Sequence, residues 1–177
     1  GKYVLPGLWD SQVSYSWYFG EAMLSHGITS TIDVGTNAET AIPHREAVLH
    51  GKAVGPRPFT GISRIASVPS NQPGFETPLA TIRRPASPDD TRAIVREFVK
   101  AGADYIIFYD GALPLEYYQA GADEAKRLGK PVFARAYGPG MYPADAAALG
   151  AAQLPHSAGA GVAVTTDPSR FKDGRDG

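Results

Sequence analysis

This 177-residue chain has no cysteine and only four histidines, two residue types that often act in catalysis or bind metal ions. The absence of cysteine excludes a disulfide framework, a thiolate zinc site and a cysteine nucleophile. Two of the four histidines, His26 and His44, fall in helical patterns and are predicted to lie on the surface. His156 follows a proline and admits three interpretations: a metal ligand, a general acid or base, or an ordinary loop residue. Among the histidines, we keep His156 as a candidate site residue.

Arg135 is a second candidate, because a fixed guanidinium binds a carboxylate or a phosphate through two parallel hydrogen bonds. The alternative is an internal ion pair with Asp10 or Asp110. Ser14 is a weak nucleophile unless a base and an oxyanion hole lie nearby, and nothing in the spacing supplies either. The glycine-rich residues 138–140 lack the context of a phosphate loop and are predicted to form a turn.

Alternating strands and helices must position these candidates. The predicted strands cover residues 3–8, 29–35, 59–65, 105–109, 131–136 and 152–156. The predicted helices cover residues 16–26, 38–50, 89–101, 115–128 and 143–149, the third of them capped by Ser87. Residues 66–88 have no periodicity and are predicted to be a long loop. Repeated strand–helix alternation is typical of a parallel α/β fold, with its site at the carboxyl ends of the strands.

The overall composition is that of a folded domain. With 43% hydrophobic residues and a net charge of −1, the chain can bury a core and does not belong to the disordered class. The near-zero charge argues against nucleic acid as a partner, and no run approaches ~18 uninterrupted apolar residues, so no membrane span is predicted. We expect a small-molecule ligand and no cofactor. The location stays unknown, with the cytoplasm favoured.

Five segments carry a resemblance to a known family: VLPGLWD at 4–10, GITSTIDVG at 27–35, GPR at 55–57 with GIS at 61–63, GADYI at 102–106, and GKPVFA at 129–134. In this order and spacing they resemble the amidohydrolase superfamily of metal-dependent hydrolases. The resemblance implies a (β/α)₈ barrel with a metal cage at the carboxyl ends of its strands. The bound metal would lower the pKa of a water molecule and polarise a carbonyl group.

The resemblance also implies which positions should hold metal ligands. Gln12 and Ser14 stand at the two histidine positions of the first strand, and Ile107 stands where many members have a carboxylated lysine. Arg135 stands at the histidine position of the fifth strand, and His156 alone matches, on the sixth. The aspartate of the eighth strand has no counterpart, because the chain stops too early. A metal-dependent mechanism is therefore disfavoured, since glutamine, serine and isoleucine are poor ligands or none.

Three hypotheses for function follow. The first is an amidohydrolase-like barrel that has lost its metal centre and binds a small, anionic or amide-like molecule, or performs metal-free chemistry, in the former active site. The candidate lining residues are Gln12, Ser14, Ile107, Asp110, Arg135 and His156. The second is a non-catalytic structural or assembly protein. The third is a fragment of a C–N bond hydrolase whose other strands lie outside this chain. We favour the first and leave open whether the protein is an enzyme.

The length constrains the architecture further. We divide the chain into a barrel portion at residues 1–165 and a polar tail at 166–177. Barrels of this kind need about 250 residues, with a lower limit near 200, and only about six strands are predicted here. The fold class is therefore expected to be α/β, an incomplete or rearranged TIM-like barrel. We expect one of three arrangements: a homo-oligomer or partner chain that completes the barrel, an open and rearranged sheet, or missing sequence. The absence of an initial methionine favours missing sequence.

Overall fold

The structure, a computed structural model, describes residues 2–34, 38–67 and 82–156. Its strands are β1 (Leu8–Val13), β2 (Ile28–Asp33), β3 (Arg57–Thr60), β4 (Arg64–Ile65), β5 (Ile82–Arg83), β6 (Ile106–Phe108) and β7 (Val132–Ala134). Its helices are α1 (Gly20–Ser25), α2 (Ala38–Leu49), α3 (Pro88–Lys100), α4 (Leu115–Arg127) and α5 (Pro143–Ala148), with a 3₁₀ turn at Trp17–Phe19. The predicted tail at 166–177 lies outside the described residues.

All strand pairs among the described residues are parallel. One sheet has the order β1-β2-β3 and the other the order β5-β4-β6-β7. Strands β3 and β4 follow each other in the chain, and Thr60 of β3 accepts a hydrogen bond from Asp104 N, just before β6 (2.8 Å). The two sheets therefore continue into one curved surface. Parallel strands alternating with helices confirm the predicted α/β class.

Both faces of β6 and β7 are covered, whereas Leu8 and Trp9 of β1 are 60% and 56% exposed. Side chains of β6 and β7 that point outward pack with α3 and α4 in the main core, which includes Ile106, Phe108, Val132, Ile94, Val95 and Phe98. Side chains that point inward form a smaller cluster of Tyr105, Ile107 and Phe133, against which Ile32 and Val34 pack. This inner cluster fills the interior of the partial barrel, as strand alternation requires.

The first strand lies later in the chain than predicted. The structure places β1 at Leu8–Val13, whereas residues 3–8 were expected to be the strand. Pro6 has no N–H to donate, and pairing with the neighbouring segment starts where Leu8 N donates to Gly27 O (2.8 Å). The side chains of Tyr3 and Val4 remain 96% exposed. The predicted helix at 16–26 is likewise shorter, because its first turn is 3₁₀.

The predicted third strand at 59–65 is divided in two. Ile62 has a φ of 59°, a left-handed conformation that an extended strand does not contain. Ser63 N donates to Gly61 O (2.7 Å), and Ile62 N donates to the hydroxyl of Thr60 (2.9 Å), which replaces ladder bonds with a tight local turn. Within the predicted loop at 66–88, residues 82–83 form β5 along the free edge of β4, and residues 68–81 lie outside the described part.

The predicted sixth strand is reduced to a single bridge. Gln153 bridges to Phe133, Ala134 N donates to Gln153 O (3.0 Å), and Ala152 N donates to Val132 O (2.8 Å). Pairing stops there because Pro155 has no N–H and His156 has a φ of 69°. The segment still occupies the sixth position beside β7. The described part of the chain contains no helix with the length and apolar character that crossing a bilayer requires.

Helix α3 shows how far local sequence signals determine an element. The predicted helix at 89–101 is observed at Pro88–Lys100. The hydroxyl of Ser87 accepts from Asp90 N (3.0 Å), as expected of an N-cap, and proline occupies the first turn. Ile94, Val95 and Phe98 are buried, and their spacing places them on one face of the helix.

A charged contact fastens α2 to the barrel. Asp104 accepts hydrogen bonds from the guanidinium of Arg45 (2.8 Å) and from Thr60 N (3.0 Å), and Arg45 also donates to Gly102 O (2.8 Å). The side chains of Arg45 and Asp104 are 15% and 28% exposed. The contact thus joins the second helix, the third strand position and the start of β6.

We predict that Asp104→Ala lowers the free energy of unfolding by about 1–3 kcal/mol, because it leaves Thr60 N without its acceptor and removes one acceptor of the Arg45 guanidinium, which keeps Gly102 O and Glu46. Urea denaturation measures this value. Asp123→Ala, at an exposed position of α4, is the matched control and should change stability by less than about 0.5 kcal/mol. Equal stabilities for the two variants would contradict the anchoring role of Asp104.

A second prediction concerns the contact between α4 and the sheet. A Cβ atom on Gly121 would lie 2.6 Å from Phe108 Cζ and 2.9 Å from Thr91 Cγ2. Gly121→Ala should therefore lower the free energy of unfolding by about 1–3 kcal/mol, although alanine favours helices by about 1 kcal/mol. Gln119→Ala, exposed on the same helix, should not destabilise the protein. If Gly121→Ala raised the free energy of unfolding in a urea titration, α4 would be able to move away from Phe108 without loss of stability, which would contradict the prediction.

Candidate functional site

Three of the predicted site residues meet at the carboxyl ends of the strands. Gln12 lies in β1, Arg135 directly follows β7, and His156 follows the bridge at Gln153. The amide nitrogen of Gln12 lies 2.5 Å from His156 Nε2, and a terminal nitrogen of Arg135 lies 2.6 Å from the same atom. Residues 144 positions apart are thus brought together by the curvature of the sheet. We call Gln12, Arg135 and His156 the mouth triad.

The hydrogen-bond donors of the mouth triad exceed its acceptors. A guanidinium only donates, so His156 Nε2 is the acceptor and its ring proton lies on Nδ1. A neutral imidazole has one lone pair, and here two N–H groups point to it. At least one of these N–H groups is therefore poorly satisfied and is available to an oxygen atom of a ligand.

Positive charge is concentrated beside the triad. The guanidinium of Arg135 lies 4.1 Å from the centre of the Tyr109 ring, and that of Arg64 lies 4.6 Å from the same centre. Arg64 is 9% exposed and donates from Nε to Val34 O (2.7 Å). Burial lowers the pKa of Arg64, and the neighbouring Arg135 acts in the same direction. A tyrosine ring shared by two guanidiniums attracts each of them but does not neutralise either.

His156 stays neutral near pH 7. Burial lowers the pKa of His156, and the positive charge of Arg135 lowers it further. The ring of Tyr137 lies edge-on to the imidazole, with centroids 6.4 Å apart. The imidazole therefore serves as a hydrogen-bond acceptor for Arg135 and leaves the net charge of the mouth positive.

The other three predicted site residues lie apart from the triad. Ile107 is 2% exposed and belongs to the inner apolar cluster. Asp110 accepts from the backbone N–H of Ser67 (3.0 Å) and from its hydroxyl (2.9 Å), so it fastens the segment after β4. Ser14 is exposed beyond the end of β1, and no hydrogen bond in the described part of the chain joins it to the triad.

The alternative interpretation of Arg135 as half of an internal ion pair is wrong. Among the described residues, neither Asp10 nor Asp110 forms an ion pair with Arg135. Asp10 instead accepts from the backbone N–H of Gln12 (3.1 Å). Asp10 and Asp110 thus accept hydrogen bonds from backbone N–H groups, and the Arg135 guanidinium contacts Tyr109 and His156 instead.

A side-chain contact joins the sixth strand position to the first strand. The amide of Gln153 donates to the backbone carbonyl of Ser11 in β1 (2.8 Å). The sixth position thus contacts the first strand through a side chain rather than through a ladder of backbone hydrogen bonds. This contact and that between Gln12 and His156 hold the open edges of the partial barrel near each other.

The family-like positions do not supply a metal cage. The mouth triad contributes one imidazole, one amide and one guanidinium, and the lysine position is occupied by the aliphatic Ile107. In residues 2–34, 38–67 and 82–156, no three histidine or carboxylate side chains converge as ligands of one ion. A hydrolytic metal centre needs three or more such ligands, so these residues do not fit one.

Sequence reasoning missed a second group of polar residues, on the outer face of β2. His44 was predicted to lie on the surface, yet it is half-buried, and its ring packs on Tyr15 with centroids 4.9 Å apart. Asp33 Oδ1 accepts from Tyr15 N (3.2 Å). These residues line a cavity of about 530 Å³ between α2 and the sheet. Successive residues of a strand point to opposite faces of the sheet, so Asp33 points to the face away from Ile32 and Val34. This alternation was the sequence signal that could have predicted the cavity.

Comparisons with known proteins identify the fold. No protein-family model matches the sequence, and no curated protein is similar to it. A solved prolidase in complex with N-methylphosphonate-L-proline matches with a TM-score of 0.66 and 20% identity, over 86% of this chain and 48% of its own. The ochratoxinase of A. niger matches with a TM-score of 0.67 and 17% identity, over 86% and 47% of the two chains. A further structure described as an amidohydrolase gives 0.63 and 20%, over 97% and 59%.

The chain spans about half the length of the solved structures it matches. At these identities the similarity concerns the fold alone, and it confirms the predicted resemblance and the predicted incomplete barrel at that level. The chain therefore has the fold of a partial (β/α) barrel similar to that of these solved structures.

Proposed function

We propose that the mouth of this partial barrel binds a small carboxylate-bearing molecule, without a metal ion at the mouth triad. The observation that carries the proposal is the guanidinium of Arg135. Within the described residues it donates to the neutral His156 and stacks on Tyr109, and no carboxylate neutralises it. It therefore retains N–H groups for a bidentate contact with an anion.

The surroundings of Arg135 favour an anion of modest size. Arg64 adds a second positive charge on the same tyrosine ring, so the local field attracts negative charge. Gln12 adds an amide N–H whose acceptor is shared with Arg135. Below the triad the barrel is filled by the inner apolar cluster around Ile107, so the ligand is held at the mouth and not in the interior.

The donor set supports metal-free binding. Arg135 places a fixed positive charge where the family would place an ion, and electrostatic repulsion opposes a divalent cation at that point. Gln12 and Ser14 are poor ligands for transition metals, and Ile107 has no ligand atom. The binding function proposed here accordingly depends on side-chain hydrogen bonds, and a catalytic step is not part of it.

A second candidate function is a fragment of a C–N bond hydrolase. The observation that favours it is that this chain covers only about half of each matched structure. Further strands, from this protein, a second copy or a partner chain, would have to open the contacts of Gln12 with His156 and of Gln153 with Ser11 before pairing with β1. Such strands would complete the barrel, but they cannot replace the side chains at positions 12, 14, 107 and 135.

The carboxylate proposal predicts the effect of removing Arg135. N-Methylphosphonate-L-proline, the ligand of the matched prolidase, carries a carboxylate and serves as the probe in isothermal titration calorimetry. Arg135→Ala should weaken its binding at least about tenfold, because it removes a charge-assisted bidentate contact, and Arg135→Lys should have an intermediate effect. Arg92→Ala, which removes a surface ion pair with Asp89, is the control. Unchanged affinity in Arg135→Ala would refute the proposal.

The metal-free part of the proposal is tested separately by elemental analysis. Protein purified without chelators should contain zinc, manganese and nickel far below one equivalent, and EDTA should leave its melting temperature unchanged. Stoichiometric metal that is retained through gel filtration would favour the hydrolase-fragment function instead. Gln12→His combined with Arg135→His is the matched gain-of-ligand variant, and it should bind zinc more tightly than the wild-type chain.

A further inference from the structure

Three neighbouring strands direct a polar or aromatic side chain to the inner face of the sheet. Ile65 of β4, Phe108 of β6 and Ala134 of β7 all belong to the outer core. Successive residues of a strand point to opposite faces of the sheet, so the residues next to these three point inward. Among those inward residues are Arg64, Tyr109 and Arg135. The alternation thus brings two cations and one aromatic ring to the same side.

The register of the strands places these side chains beside one another. Ile65 pairs with Phe108. Tyr109 N continues the ladder by donating to Ile65 O (2.8 Å), and Arg135 N does the same by donating to Phe108 O (3.0 Å). Tyr109 and Arg135 therefore lie side by side at the carboxyl ends of β6 and β7. Arg64 joins them from β4, because its guanidinium packs on the Tyr109 ring.

The two guanidiniums lie close together. That of Arg135 is 4.1 Å from the centre of the Tyr109 ring, and that of Arg64 is 4.6 Å from the same centre. Their separation is at most the sum of these two distances. In the part of the chain that the structure describes, no carboxylate forms an ion pair with either of them. Two like charges repel each other, so acidic groups that pair with both would lower the free energy of the site.

Arg64 is held in a fixed position with its terminal nitrogens unused. The residue is only 9% exposed, and its Nε atom donates to Val34 O (2.7 Å). Neither terminal nitrogen forms a hydrogen bond with another described residue, and neither belongs to the fully buried atoms that lack a partner. Both therefore have surface open to a ligand. A guanidinium anchored in this way presents a preformed fork that matches one carboxylate.

Asp33 is the carboxylate among the described residues whose charge acts on Arg64. Its Oδ1 atom accepts from Tyr15 N (3.2 Å), and it forms no ion pair with the guanidinium. Burial lowers the pKa of Arg64, and the repulsion by Arg135 outweighs the attraction by Asp33. Asp33 thus reduces the positive charge at the mouth but does not cancel it.

We propose that the mouth binds a short dicarboxylate, with one carboxylate on Arg135 and the other on Arg64. The inference rests on the carboxylate function proposed above and adds a second point of attachment. Each carboxylate accepts two parallel N–H bonds of about 2.8 Å from its guanidinium. The carbon chain between the two acidic groups is short, because the guanidiniums are close together and the inner apolar cluster fills the interior below them.

Succinate and succinamate test the second point of attachment in the wild-type chain. The two molecules share a carbon skeleton, but succinamate carries a neutral amide in place of one carboxylate. In amide NMR titrations at constant ionic strength, succinate should bind at least about tenfold more tightly. Equal affinities would overturn the role of Arg64 and leave the single-carboxylate function standing. No binding of either molecule would refute both proposals.

Inorganic phosphate distinguishes two acidic groups from one. A single phosphate could bridge both guanidiniums without a carbon chain. We expect succinate to bind more tightly than phosphate, because each guanidinium then has a carboxylate of its own. Tighter binding of phosphate would overturn the assignment of a dicarboxylate.

Arg64→Met removes the charge but keeps an unbranched side chain. It should reduce the preference for succinate over succinamate to about one, whereas Arg135→Ala should weaken both ligands. Arg92→Met, which removes an exposed arginine paired with Asp89, is the matched control and should keep the preference. A folded Arg64→Met protein with the wild-type preference would overturn the proposal. If that variant does not fold, Arg64→Lys keeps the charge without the fork and should lower the preference at least about threefold; an unchanged preference there has the same meaning.

Discussion

The structure depends on burial of both faces of a parallel sheet. Outward side chains of β6 and β7 pack under α3 and α4, while inward side chains form the cluster of Tyr105, Ile107 and Phe133. A parallel sheet is stable when both faces are covered, and here the inner cover comes from the strands' own side chains. The partial barrel consequently has a solid interior, although the described residues supply only about six strand positions.

A filled interior determines where polar chemistry can occur. Ile107 belongs to the inner apolar cluster, so the floor of the mouth is apolar and disfavours ions. Polar groups are confined to the ends of the strands, where Gln12, Arg135 and His156 converge. The guanidinium remains charged because Tyr109 and a neutral imidazole stabilise its position without neutralising it.

Local signals predicted α3 and the buried strand around residue 107, because capping, periodicity and β-branched runs act over a few residues. The position of β1 was wrong, since a proline in an apolar run moves the start of pairing by several residues. The turn at Ile62 was not predictable, because no propensity favours a left-handed β-branched residue, and tertiary contacts impose it. The ion pairs of Arg135 with Asp10 or Asp110 were wrong: Asp10 accepts from Gln12 N and Asp110 from Ser67 N, an arrangement that sequence spacing does not reveal.

The second strand explains why the molecule carries two regions of opposite charge. Successive residues of a strand point to opposite faces of the sheet. Ile32 and Val34 therefore pack in the interior of the barrel, while Thr31 and Asp33 point to the side covered by helices. Asp33 is therefore separated from Arg64 and Arg135 by the sheet, although the chain brings them near in space. Its carboxylate accepts from Tyr15 N on the helix-covered side (3.2 Å). The same alternation that builds a closed sheet thus preserves a cation on one side and a carboxylate on the other.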